Sequence, residues 1–206
     1  MRASALLTSM LALALVAPSA ASAQSPQLPA APTGAGTGGA VFDEAAPDPT
    51  KPIVEGLKAT RLPNGLAAAP SLAPPEVQEA IWAANEIVGK PYRYGGGHNR
   101  TFKDTGYDCS GTVSYALNGG GLLESPLPSG SFMSWGRSGK GEWITVYAHS
   151  GHAYAVIAGL RLDTSVAGMS RTRKTKAAVK AFESGPRWRP MPRSGRGFKK
   201  RHPTSF

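Results

Sequence analysis

The stretch YDCSGTVSYAL, residues 107–117, contains the only cysteine of a 206-residue chain. Val113, Ala116 and Leu117 recur at helical spacing and glycines follow at 119–121, so the pattern predicts a short helix with Cys109 in its first turn. A thiol in that position has two readings. It is either a small buried hydrophobe, as free cysteines often are, or a nucleophile whose thiolate is favoured by the unsatisfied N–H groups and dipole of a helix start.

The amino-terminal sequence sharpens that choice. Arg2, the apolar run ALLTSMLALALVA and the small-residue site ending at Ala23 have the layout of a secretory signal peptide over residues 1–23. The run is shorter than the roughly 20 residues that cross a bilayer, which predicts no integral membrane segment. Export permits disulfides, yet one cysteine cannot pair within its own chain. The formal net charge of +10 is also uneven, since residues 76–165 hold seven Lys/Arg against eight Asp/Glu and residues 171–206 hold twelve against one. A near-neutral body in an exported chain points away from nucleic acid, and the basic carboxy-terminal tail fits either an anionic wall polymer or anionic lipid as a partner or, equally, a segment that only keeps the protein soluble.

Residues 24–74 are rich in Pro, Gly and Ala and are expected to form a flexible linker or pro-like segment, with KPIVEGLKATRL the part that could dock on the body. The body, residues 75–190, opens with a helix. Pro75 suits its first turn, Val77, Ile81, Ala84 and Val88 recur along it, and Gly89 and Pro91 end it. A glycine-rich loop, YRYGGGHNRTFKDTGYD, leads into the Cys109 helix. EWITVYA, HAYAVIAGL and LRLDTS then read as neighbouring antiparallel strands punctuated at Gly159. RTRKTKAAVKAF reads as a short basic helix, and residues 191–206 as a basic tail without apolar period. The fold class expected is α+β, with helices packed on a small antiparallel sheet.

A thiolate that attacks an amide needs a base. His98 and His202 read as solvated side chains in a loop and a tail. His149 and His152 lie in the turn that enters a rigid strand, and His152 starts that strand directly. A base histidine is oriented by a third polar group. Asp163 is the one carboxylate between His152 and Glu183, and a hairpin at Gly159 would return it to His152. From spacing alone, Asp163 equally fits an aspartate capping the turn DTS.

With these residues aligned, the chain resembles the NlpC family of papain-like cell-wall peptidases. The resemblance rests on GKPYRYGGG, DCSG and SGHAYAVIAG in that order and covers residues 76–165, reaching toward GPRWRP. It implies a papain-like fold with Cys109 as nucleophile, His152 as general base and then acid, and Asp163 as the orienting group. It also implies that Tyr92 sets its hydroxyl beside the thiolate and that Asp108 and Ser110 shape the substrate pocket. Packing against the helix is the simpler reading for Tyr94.

The implied activity is that of a secreted or periplasmic, wall-associated cysteine endopeptidase. It would cut an amide bond of peptidoglycan stem peptides, commonly between D-glutamate and a diamino acid, with no metal or organic cofactor. Two departures bear on the substrate pocket. GEWITVY stands where the family has a GDLVFF-like strand, and residues 120–140 are longer and richer in Gly and Ser than a simple connection. The alternatives are a non-catalytic wall-binding protein on the same scaffold, and an amidase or acyltransferase with a substrate outside the wall.

Overall fold

In the computed structural model, residues 48–165, 185–190 and 192–206 are described. The signal peptide expected over residues 1–23 and the basic helix expected over 171–182 lie outside them. The helix of the body is α1, Pro75–Ile87, with Pro75 in the first turn and Val77, Ala80, Ile81, Ala84 and Ile87 buried. Ile87 takes the inward place expected of Val88, which caps the helix instead. The second helix, α2, spans Cys109–Gly119 and buries Val113, Ala116 and Leu117. The two helices pack closely at Gly119, where an added Cβ would collide with the Ala83 methyl.

The main sheet is antiparallel throughout and mixes local with distant pairings. Its strands are β4 (Arg137–Ser138), β5 (Ile144–His149), β6 (His152–Ile157), β7 (Leu160–Asp163), β8 (Arg187–Arg189) and β9 (Lys199–His202), in the order β4-β9-β5-β6-β7-β8. Alternation decides its faces. Ile144, Val146, Ala148, Ala153, Ala155, Ile157, Leu160 and Leu162 join the helices in one core with Trp188. On the strands' alternate positions Tyr147 stacks on Tyr154 with ring centroids 4.7 Å apart. The turn between β6 and β7 is the pair Ala158–Gly159 with φ of 45° and 82°. Positive φ at both central residues is the geometry of a tight hairpin whose twist matches its strands.

Both ends of the chain differ from expectation in their described parts. Within the stretch expected as a linker over 24–74, β1 (Ile53–Val54), β2 (Thr60–Arg61) and β3 (Ala67–Pro70) form a small sheet in the order β1-β3-β2, and Ala67, Ala68 and Ala69 are buried. α1 holds this sheet through polar side chains. Asn85 accepts from the Ala67 N–H at 2.9 Å and donates to the Ala67 carbonyl at 2.9 Å, while Trp82 donates to the Pro52 carbonyl at 3.1 Å. Within the stretch expected as a tail over 191–206, β9 lies between β4 and β5, with Val146 opposite Arg201 and Arg137 opposite His202. The α+β body therefore extends beyond 75–190 in both directions.

Asn85 also accepts from Trp188 Nε1 at 2.8 Å, so one side-chain amide joins the amino-terminal sheet, α1 and β8. Asn85→Ala would leave buried donors and an acceptor without partners, each worth about 1–3 kcal/mol. The expected result in urea denaturation is a lower transition midpoint, with a loss of about 3 kcal/mol and an unchanged slope.

Candidate active site

Asp108 determines where α2 begins. Its carboxylate accepts from the Gly111 N–H at 2.7 Å as the helix N-cap, leaving Cys109 as the first helical residue. The other carboxylate oxygen accepts from the Gly95 N–H at 3.0 Å and draws the glycine loop over the helix start. The loop backbone comes so close that a Cβ at Gly111 would collide with the Gly96 carbonyl. The terminal glycine of DCSG thus has a steric cause.

Cys109 is 8% exposed and opens into a cleft of about 340 Å³. Its Sγ lies 3.5 Å from Ser129 Oγ, which is carried by a short helix, α3 (Ser129–Phe132). Burial alone would push the thiol up. Hydrogen bonding from His152, Ser129 and the Ala153 N–H outweighs it and leaves the thiol below its ordinary value.

The β6–β7 hairpin places the other partners. His152 starts β6, and the register that sets Ala155 opposite Leu162 returns Asp163 to the same end of the hairpin. His152 Nε2 lies 3.0 Å from Asp163 Oδ1. The Nε2–H therefore donates to the carboxylate and Nδ1 is left for the thiol side. Burial pulls His152 down, but its bonds to Asp163 and Cys109 prevail and raise it to about 9. Asp163 is buried, which by itself would raise its pKa, yet the bond and charge of His152 hold it below the usual carboxylate value. The Ser165 N–H at 2.8 Å and Arg193 Nη1 at 3.0 Å complete its surroundings.

The three residues proposed from sequence, Cys109, His152 and Asp163, are thus brought together in space. Tyr92, Asp108 and Ser110 line the cleft with Cys109. Tyr92 is 42% exposed, and its pKa is raised by desolvation and then by the negative charges of Cys109 and Asp108. Tyr94, expected to pack on the helix, is 95% exposed at the cleft rim. On the glycine loop it is the backbone, not the Tyr94 ring, that contacts α2, where Gly111 meets the Gly96 carbonyl.

Three other histidine readings are settled by the geometry. His98, expected to be solvated, is partly buried with Nε2 3.0 Å from Asp108 Oδ1 and 3.2 Å from Ser110 Oγ. Its bond to Asp108 raises its pKa against the opposing effect of desolvation. The signal was its place at the end of the glycine run that also carries Tyr92. His202, also expected to be solvated, is tied by Nδ1 to the backbone oxygens of Pro203 and Phe206 at 2.8 and 2.6 Å. His149 packs on Phe198 with centroids 4.5 Å apart, and its Nδ1 accepts from the Gly151 N–H. Ser129 was not anticipated at all, since it lies in the long Gly/Ser-rich connection.

Comparison with known proteins finds no matching family model, no matching curated protein and no matching solved structure. A thiol made acidic next to a histidine held by a buried carboxylate can act as a nucleophile with a proton carrier at hand.

The pairing sets the pH behaviour. A lowered thiol and a histidine raised to about 9 shift the pair toward thiolate–imidazolium. Alkylation of Cys109 by iodoacetamide is expected to be fast at pH 7, with a midpoint below the free-cysteine value of roughly 8.5. His152→Ala should move that midpoint upward and slow labelling at pH 7 by about tenfold or more, because burial would then act on the thiol without its main hydrogen-bond partner. Equal rates for the two proteins would show that His152 does not activate the sulfur.

Proposed function

We propose that this chain is an exported cysteine endopeptidase of papain-like architecture that hydrolyses an amide bond in peptidoglycan stem peptides, with the D-glutamyl–diamino acid bond as the favoured target. The observation that carries the catalytic half of this reading is Cys109 at a helix start with His152 fixed by the buried Asp163. The wall substrate follows from the resemblance of GKPYRYGGG, DCSG and SGHAYAVIAG to the NlpC family. The signal-like amino terminus supports a secreted or periplasmic location.

In this mechanism the Cys109 thiolate adds to the scissile carbonyl. The oxyanion is received by the backbone N–H of Cys109, one of the helix-start groups without an intrahelical partner, with the Tyr92 hydroxyl beside it. The His152 imidazolium gives its proton to the departing amine, leaving an acyl thioester on Cys109. Neutral His152 then takes a proton from water, whose oxygen attacks the thioester and releases the carboxylate and the thiolate. Asp163 keeps the imidazole in one tautomer and stabilises its charged form. Asp108, Ser110 and His98 line the cleft on the side of the glycine loop, and in this mechanism they select the bound peptide.

The decisive experiment incubates purified peptidoglycan with the protein and with Cys109→Ala and separates the muropeptides. Stem-peptide fragments are expected only from the parent, and equal release by both would overturn the cysteine mechanism. Asp163→Ala is expected to lower kcat by about two orders of magnitude or more while changing KM little, since its contribution lies in proton transfer. Unchanged turnover would remove Asp163 from the mechanism.

A further inference from the structure

Behind the triad, on the face of the sheet that carries Tyr147 and Tyr154, lies a second cleft of about 320 Å³. Its wall includes Lys140, Tyr147, Tyr154, Arg161, Arg189 and Arg193. The carboxylate facing these cations is Asp163, which His152 already engages. Arg189 directs its guanidinium to the Asp163 and Thr164 carbonyls, and Arg193 reaches Asp163 while covering the Tyr154 ring at 5.2 Å. Arg161 differs from both. It is 3% exposed, its Nε is 3.8 Å from Asp163 Oδ2, and among the described residues nothing hydrogen-bonds its Nε, Nη1 or Nη2. The Tyr154 hydroxyl is buried and without a hydrogen-bond partner in the same way.

A buried guanidinium with idle donors costs several kcal/mol, and an acceptor of opposite charge removes that cost. The donor set here consists of forked N–H groups, a phenol and an ammonium arranged round one cleft. That set suits a group offering several oxygens at once, and guanidinium forks match phosphate in this way. The volume exceeds what a bare oxyanion fills, since a water molecule in the liquid occupies about 30 Å³. The half-buried ring of Tyr147 completes the wall beside Tyr154.

We propose that this cleft is a phosphate-binding site, anchored by Arg161 and the Tyr154 hydroxyl, that takes a phosphate group either free or carried on a polymer. The site is separate from the thiol cleft and does not depend on the peptidase reading. It shares Arg161 and Arg193 with Asp163, so its occupancy adds negative charge next to the triad.

The test titrates inorganic phosphate into the full chain at constant ionic strength, following phosphorus NMR and the thermal midpoint. A saturable response is expected, with Kd weakened at least tenfold by Arg161→Met and measurably by Tyr154→Phe. Arg161→Met keeps the side-chain volume, and if it fails to fold, Tyr154→Phe carries the comparison alone. A parallel titration with poly(glycerol phosphate) separates the sources: tighter binding per phosphate than the free ion identifies polymer, and weaker binding identifies free phosphate. A response that does not saturate, that chloride reproduces at matched ionic strength, or that survives the substitutions overturns the site.

Discussion

The buried carboxylate of Asp163 is the constraint on which the rest of the site depends. Removing a carboxylate from water costs several kcal/mol unless charge and hydrogen bonds replace the lost hydration. Here the replacement comes from His152 on β6, the Ser165 N–H beyond β7 and Arg193 on the carboxy-terminal segment. Each of these groups is fixed by the carboxylate in return. The imidazole cannot rotate away from the sulfur without giving up the Asp163 bond, and Arg193 cannot leave without exposing a charged pair in an apolar setting. Local strand register and long-range closure thus meet at one side chain.

Cys109 stands between two such acid–histidine pairs, and they do different work. Asp163 and His152 lie under the strand ends, where burial strengthens their coupling and the imidazole faces the thiol. Asp108 and His98 lie at the helix start, where Asp108 must also cap α2 and hold the Gly95 N–H. That division explains why Asp108 is adjacent to Cys109 in sequence while Asp163 is far from it. The cap sets where the sulfur is, and the distant carboxylate sets the direction of the imidazole.

The part of this arrangement that was legible in sequence is the part built by short-range rules. The Cys109 helix follows from apolar spacing and glycines, and the approach of Asp163 to His152 follows from a tight turn at Gly159 between two strands of alternating pattern. The amino-terminal sheet was not legible because its longest strand is the run Ala67–Pro70, which has little strand preference, and its partners are two residues long. It is stabilised by Asn85, whose side chain takes the place of a neighbouring strand for Ala67. Lys199–His202 likewise has no apolar alternation, and it becomes a strand because β4 and β5 offer it backbone partners on both sides. His98 and Ser129 reach the cleft through tertiary contacts that no periodicity records.

The basic composition of the carboxy-terminal region takes on a specific meaning in these terms. Arg201 donates to the carbonyls of Ser134, Trp135 and Gly136 at 3.0, 2.6 and 2.7 Å, which secures the segment directly after α3. α3 in turn sets Ser129 beside the Cys109 sulfur. Arg193, from the same stretch of chain, secures Asp163 on the other side of that sulfur, and Phe198 packs 5.2 Å from the Tyr154 ring and 6.3 Å from the His152 ring. A lysine in either arginine position would offer one point charge where the backbone carbonyls or the carboxylate and aromatic faces need a planar fork. Positive charge that looks like a solvated tail in the sequence therefore braces both walls of the thiol site, and the last strand of the chain is part of the structure that orients Cys109.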